Sequence, residues 1–298
     1  MNARPRLSLV LCTVDRVEEV DRFLASLEAQ GVPDLEVLLV DQNEDDRLRP
    51  VIEAWRDRLA IRVLTSPRGL SRARNAALPA VRGEVVAFPD DDCEYPPGLL
   101  RGVFDRLDAL PGLDGVSVRA VDQHGGGSGL RWARRASMLT PGTVLGRHIS
   151  YGLFLRRDIV ERTGAFDESL GVGASTVWGA GEETDFLLRA LALGARVRYE
   201  PSLTAFHPAK DDARGARDDI EAHRRRLEAY GRGMGRVLRR HLPAWRAGWW
   251  IARPALASVW LRARGHRDEA GDRWLVARAR FRGWMDDPGR PSDGGPLA

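Results

Sequence analysis

The sequence predicts an α/β protein with an open, mostly parallel sheet, helices on both faces and a C-terminal helical extension. Three observations carry this. The first 120 or so residues alternate short apolar runs with stretches of helical spacing, a polar cluster follows each apolar run, and the chain changes character after His207. Strand and helix alternating in this way imply right-handed crossovers. Ligands of such sheets bind beyond the carboxyl ends of the strands.

Leu7–Cys12, Leu35–Val40, Ile61–Thr65 and Glu84–Phe88 are the apolar runs, the pattern of strands buried on both faces. Glu18–Gln30, Leu48–Leu59 and Ser71–Val81 lie between them with helical spacing and length. The polar clusters at the strand ends are Thr13–Arg16, Asp41–Asp46, Ser66–Arg74 and Asp90–Asp92. Farther on, Val116–Val121 and Arg196–Glu200 read as strands and Gly125–Gly129 as a loop. Tyr151–Arg156 leads into a short helix ending near Gly164, and the glycine-rich Gly171–Gly181 runs into an amphipathic helix, Glu182–Leu193. Three arginine-rich helical segments follow, roughly 211–241, 245–263 and 267–284, with six of the nine tryptophans. The expected layout is an α/β domain at 1–208, a helical extension at 209–287 and a disordered tail at 288–298.

A chain of 298 residues with 43% hydrophobic content can bury a sizeable core. Its net charge of +4 is uneven: residues 208–298 hold 20 Lys/Arg against 12 Asp/Glu, a net of +8, which leaves the remainder at −4. A basic tail on a mildly acidic body points to an anionic surface as partner. Cys12 and Cys93 are the only cysteines and no signal peptide precedes the first apolar run, so the expected location is the reducing cytosol. The longest apolar candidate, Trp249–Leu261, is broken by Arg253 and Pro254 and is too short to span a bilayer.

Adjacent aspartates also occur at 45–46, 211–212, 218–219 and 286–287, where a solvated surface explains them. Asp90, Asp91 and Asp92 differ by position. A strand and Pro89 deliver them to a sheet edge, and Tyr95-Pro96-Pro97 turns the chain into a helix. Three crowded carboxylates repel one another, and with pyrophosphate oxygens they form the ligand set that Mn²⁺ or Mg²⁺ prefers. An acidic N-capping turn is the plainer explanation. Gly181-Glu182-Glu183-Thr184-Asp185 opens a helix, where the dipole alone favours acids. The glycines upstream allow a ligand close, and a carboxylate there can deprotonate a sugar hydroxyl. Gly69 through Asn75, with Arg74, suits phosphate at a helix N-terminus, against an ordinary polar cap. Asp41, ending the second run, can accept from a nucleobase or ribose. A lone histidine such as His207 is more often structural.

Together, and in this order, these motifs resemble the family 2 glycosyltransferases of the GT-A fold, a Rossmann-like nucleotide-sugar domain. Cys12-Thr-Val-Asp-Arg16 is similar to the family's Thr-Tyr-Asn-Arg turn, with Tyr and Asn replaced. Val40-Asp41-Gln-Asn43 is similar to its base-binding aspartate, and Ser71-Arg-Ala-Arg-Asn75 to its Ala-Arg-Asn helix start. Phe88-Pro-Asp-Asp-Asp92 resembles the Asp-X-Asp metal site, and Gly164-Ala-Phe-Asp-Glu168 a segment frequent in these enzymes. Trp178 through Asp185 resembles the Glu-Asp base motif, and His207 falls where a C-terminal histidine ligates the metal.

The resemblance spans roughly residues 7–208. It implies an inverting, metal-dependent transfer from a UDP-, dTDP- or GDP-linked sugar to a glycan or lipid-linked acceptor, in cell-surface polysaccharide or glycolipid synthesis. Carried over, Thr13, Asp15, Arg16, Asp41, Asn43, Gly69, Arg74, Asn75, Asp90 and Asp91 bind the donor. Asp92, Asp90 and His207 hold Mn²⁺ or Mg²⁺. Glu183 stands in the slot of the family's catalytic aspartate, with Glu182 and Asp185 as alternatives.

Other classes fit less well. A nicotinamide dehydrogenase needs G-x-G-x-x-G after the first strand, and Thr13–Gln30 contains no glycine. A sugar-phosphate nucleotidyltransferase would carry a glycine-rich loop with arginine and lysine there. A non-enzymatic membrane adaptor explains the tail and leaves the acidic clusters unexplained. Nucleic acid as partner would call for aromatics on a sheet or in a basic groove, whereas these tryptophans sit in helical segments. Those at 245–264 interleave with arginines and suit a bilayer interface at the inner face of the plasma membrane, against packing on the catalytic domain or a homodimer partner.

Overall fold

The structure is a computed structural model; it describes residues 4–122, 125–126, 132–208 and 220–286. The chain divides into two compact units, residues 1–166 with 186–212, and residues 167–185 with 213–298.

The first unit is an eight-stranded sheet. β1 (Leu7–Thr13), β2 (Leu35–Asp41), β3 (Ala60–Thr65) and β4 (Val85–Ala87) are joined by α1 (Glu18–Glu28), α2 (Arg49–Trp55) and α3 (Leu70–Ala77). Then come α4 (Leu99–Ala109), β5 (Gly115–Val121), β6 (Ser137–Met138), β7 (Leu153–Arg156), α5 (Arg157–Thr163), α6 (Glu182–Ala192, whose first residues, to Asp185, count with the second unit) and β8 (Val197–Phe206). The strand order is β3-β2-β1-β4-β7-β5-β8-β6. Pairing is parallel from β3 to β4, antiparallel on both sides of β7 and at β6–β8, and parallel again between β5 and β8. The chain leaves β1 on one side for β2 and β3 and returns on the other side as β4. That reversal makes the carboxyl ends of β1 and β4 the expected ligand crevice.

Alternation of side chains sorts the sheet's faces. Leu7, Leu9 and Leu11 join Val20, Phe23, Leu24 and Leu27 of α1 and Leu100, Val103 and Phe104 of α4 in one buried cluster. Val10, Leu38 and Val40 are equally buried outside that cluster, and α3 packs on β1 and β2. Apolar positions three and four apart explain why α1 and α4 are helices. Gly69 (φ 136°) precedes α3, Gly98 (φ 83°) precedes α4, and Pro79 ends α3 in a 3₁₀ turn.

Three expectations change. Ile61–Thr65 forms β3 but is largely exposed, because it is an edge strand of the sheet. The Arg196–Glu200 strand runs on to Phe206, since a register shift opposite Val118/Arg119 absorbs Pro201; a bulge tolerates proline where a regular ladder would not. Helices are also shorter than their spacing suggests: Pro50 starts α2 at Arg49, and it ends at Trp55.

In the second unit α7 (Ile220–His241), α8 (Ala244–Ala263) and α9 (Arg267–Met285) form the helical extension. Residues 209–219, the tail expected to be disordered at 288–298, and 127–129 of the glycine loop lie outside the described residues. Packing here works through small residues. A Cβ on Gly235 would stand 2.1 Å from the Arg280 carbonyl oxygen, and one on Gly283 2.0 Å from that of Arg232. Helices α7 and α9 thus touch backbone to backbone, with Gly231 against Ala279.

Candidate active site

The parallel register aligns Thr13 with Asp41, so the polar ends of β1 and β2 arrive side by side. After β4 the chain pairs Asp90 with Cys12 and Glu94 with Phe206. His207 donates its backbone N–H to the Val121 carbonyl at 2.9 Å. The acidic triplet is therefore held between the ends of β1 and β8, at the sheet edge the topology marks.

Asp90, Asp92 and His207 each place one ligand atom within 4.8 Å of the others. His207 Nε2 lies 3.1 Å from Asp92 Oδ1. Its Nδ1 faces the Pro208 carbonyl at 2.8 Å; a carbonyl only accepts, so Nδ1 carries the proton. In the neutral ring that tautomer directs the Nε2 lone pair at the carboxylates, as a metal-binding histidine with a backbone acceptor behind it does. Two carboxylates and an imidazole fit a hard or borderline divalent cation.

The electrostatics agree. Burial pushes the Asp90 carboxyl up to about 6, against the pull of the Arg74 guanidinium. Burial raises Asp91 as well, with Arg16 and Thr13 opposing. For Asp92 burial also pushes upward, but His207 and Arg16 outweigh it and leave the carboxyl below its ordinary range. Burial lowers His207, and Asp92 more than restores it. The negative charge is thus held by Arg16 and Arg74, and by His207 when its ring is protonated, a load that a cation can take over.

Thr13 Oγ1 donates to Asp91 at 2.8 Å. Arg16 reaches Asp91 and Asp92 at 2.6 Å each. Asp41 Oδ1 accepts from the backbone and side-chain nitrogens of Asn43 at 2.9 and 2.7 Å. Asn43 Oδ1 in turn accepts from the Asp15 N–H at 2.7 Å. Asp15, in the left-handed region at φ 60°, pairs with Arg47 and Arg68. These residues form one connected rim.

Two residues expected at the donor are also tied into the protein's interior. Arg74 is 1% exposed, hydrogen-bonds Ser150, lies 3.6 Å from Asp90 and has its guanidinium 5.9 and 5.3 Å from the Phe88 and Phe166 ring centroids. Asn75 clamps the Phe166 backbone, donating to its carbonyl at 3.0 Å and accepting from its N–H at 2.8 Å. Sequence reasoning missed Gln42, Ser150 and Tyr151. Gln42 accepts from the Gly69 N–H at 2.8 Å and its own N–H donates to the Thr13 carbonyl, tying three loop ends together. Its only signal was its place beside Asp41. Ser150 donates to the Phe88 carbonyl at 3.1 Å, and Tyr151 stacks on His207 with centroids 5.0 Å apart; both are far from the triplet in sequence and gave no signal.

In the second unit the three carboxylates opening α6 differ in access. Glu182 is 5% exposed and packs on Gly171, and Asp185 is 3% exposed with His241 Nε2 at 2.7 Å. Glu183 is half-buried, the most accessible of the three.

The glycosyl transferase family 2 model matches residues 8–169, more than half of the chain. Glycosyltransferase AglE of Haloferax volcanii is 25% identical over 214 residues, covering 69% of this chain and 68% of its own length. Succinoglycan biosynthesis protein ExoO of Rhizobium meliloti is 28% identical over 219 residues, covering 66% of this chain and 59% of its own, so the chain spans less than two thirds of that relative. In fold, the chain is similar to the mannosyltransferase PcManGT of Pyrobaculum calidifontis in complex with GDP-Man and Mn²⁺, with a TM-score of 0.64, 18% identity, and 96% and 89% of the two chains covered. It is likewise similar to S. aureus TarS 1-349 in complex with UDP-GlcNAc, with a TM-score of 0.61, 17% identity, and 93% and 92% covered. The architecture is that of these GT-A fold enzymes, and the chain belongs to glycosyl transferase family 2 and is a glycosyltransferase.

Proposed function

We propose that the chain moves a sugar from a nucleoside-diphosphate sugar to an acceptor hydroxyl in a single inverting displacement that depends on Mn²⁺ or Mg²⁺. The observation that carries this is the Asp90, Asp92 and His207 cluster at the sheet's switch point, on a family 2 chain. The nucleotide sugars bound by PcManGT and TarS support the donor class.

Asp92, Asp90 and His207 hold the metal, which when bound neutralises charge on the leaving diphosphate. Asp41 receives the base and Asp91 the ribose, with Asp91 oriented by Thr13 and Arg16. Arg16 adds positive charge at the same edge. Glu183 removes the acceptor proton: of the acids opening α6 it has the most accessible side chain, whereas Asp185 is engaged by His241. The acceptor is a glycan or a lipid-linked chain, in keeping with the biosynthetic role in ExoO's name.

The test is transfer or donor hydrolysis with UDP-, dTDP- and GDP-sugars, with and without Mn²⁺, for the natural chain and Asp92→Ala. Activity is expected with one donor class, to require the metal, and to vanish in Asp92→Ala while the thermal melt is kept. Full activity in excess EDTA would overturn the metal reading. Weaker metal binding is expected in His207→Ala, and an unchanged Mn²⁺ titration there would return His207 to a packing role.

A further inference from the structure

Helix α8 is built inside out. Its buried positions are the small Ala247, Pro254 and Ser258, and the Ser258 hydroxyl donates to the Ala270 carbonyl at 2.7 Å. Five of its large apolar side chains face solvent: Trp245 is 71% exposed, Val259 65%, Leu256 58%, Trp249 57% and Trp260 50%. At 3.6 residues per turn these five fall in one stripe roughly 100° wide. Arg246, Arg253 and Arg264 project along one edge of it. Each guanidinium lies over a tryptophan ring, at 4.8 Å from Trp245, 5.3 Å from Trp250 and 3.8 Å from Trp260 respectively. From Leu242 to His266 the chain holds four arginines and no carboxylate.

We propose that this face of α8 docks on the anionic headgroup surface of a lipid bilayer, with the tryptophan rings at the hydrocarbon boundary and the arginines on lipid phosphates. Indole rings and arginines share that preference for the interface. An unbroken positive edge is complementary to anionic headgroups. No helix among the described residues is long and apolar enough to cross a membrane, so the helix lies on the surface. A second copy of the chain is a poorer occupant. Two-fold pairing of α8 with itself would set Arg253, near the helix midpoint, against its own copy. The helix has no carboxylate to meet it, and an isologous contact repeats the mismatch. No residue of this surface belongs to the donor site, so the proposal stands or falls apart from the transferase reading.

The experiment is co-sedimentation of the full chain with vesicles of phosphatidylglycerol and phosphatidylcholine, and of phosphatidylcholine alone, at low and high salt. Trp249→Ser/Trp260→Ser and Arg246→Gln/Arg253→Gln/Arg264→Gln variants are run beside it. The natural chain should sediment with the anionic vesicles, and high salt should release it. The arginine variant should lose roughly 10²-fold in partitioning and the tryptophan variant about tenfold or more. Both should keep donor hydrolysis and the thermal melt. Failure of the natural chain to bind anionic vesicles at low salt would overturn the proposal, as would equal binding by the arginine variant. So would a lipid-independent dimer that the tryptophan substitutions convert to monomer.

Discussion

The sheet unit and the helical unit bury opposite kinds of residue. In the sheet unit the interior is large and apolar, as at Leu9, Phe23, Leu39 and Phe104, while the charged groups collect at strand ends where Arg16, Arg74 and His207 hold them. In the helical unit the contacts between α7 and α9 are made by Gly231, Gly235 and Gly283, and the inner face of α8 by Ala247, Pro254 and Ser258; Trp245, Trp249 and Trp260 of α8 point outward. The first arrangement is held by removing large side chains from water. The second is held by close approach of backbones, which leaves large side chains to other uses. Truncation should therefore damage the sheet unit, and enlargement the helical one.

The largest expected effect is chemical and asks whether the acids opening α6 do more than cap a helix. Glu183→Gln keeps the shape and cannot take a proton. Turnover should fall by about 10²–10⁴-fold with donor affinity little changed. Normal turnover in Glu183→Gln together with loss in Glu182→Gln or Asp185→Asn would move the base within the motif. Next comes truncation: Leu9→Ala, at a fully buried position of β1, should cost about 2–5 kcal/mol in denaturant unfolding. Leu256→Ala in α8, 58% exposed, should stay within about 0.5 kcal/mol. Equal costs would erase the contrast.

Enlargement should act the other way round. Gly235→Ala drives a Cβ into the Arg280 carbonyl and should cost about 1–3 kcal/mol. Gly248→Ala meets nothing within 4 Å in the same unit and should stabilise α8 by about 0.5–1 kcal/mol. A melting shift of the same sign in both would show that backbone approach does not govern the packing. A smaller, pH-dependent effect tests a buried charge inside the sheet. The Glu36 carboxylate accepts from Ser8 at 2.6 Å and from Arg82 at 2.8 Å. Burial raises its pKa, and these bonds outweigh burial and hold it below its ordinary 4.5. Its stabilisation is present above that pH and is lost as the pH falls through the folded value. Glu36→Gln should therefore melt lower than the natural chain near neutrality and converge with it in acid.

Much of this was legible from local pattern. The runs that became β1, β2 and β4, the polar clusters at their ends and the acidic triplet all follow from spacing a few residues long, as do the three C-terminal helices. Asp90 and Asp92 could be nominated because strand ends of such a sheet converge, and His207 only through the resemblance to the family. Neighbours distant in sequence decided the rest. Ile61–Thr65 has strand composition wherever it is placed, and only the strand order made β3 an exposed edge. Arg74 looks like a phosphate ligand in Ser71–Asn75; only the fold shows that it is buried beside Asp90 and the Phe88 and Phe166 rings. Residues 245–263 are helical by sequence alone, yet it took the packing of Ser258 and Ala270 to show that Ala247, Pro254 and Ser258 face in and Trp245, Trp249 and Trp260 out. Periodicity records which residues share a face, and only tertiary packing settles which face is covered.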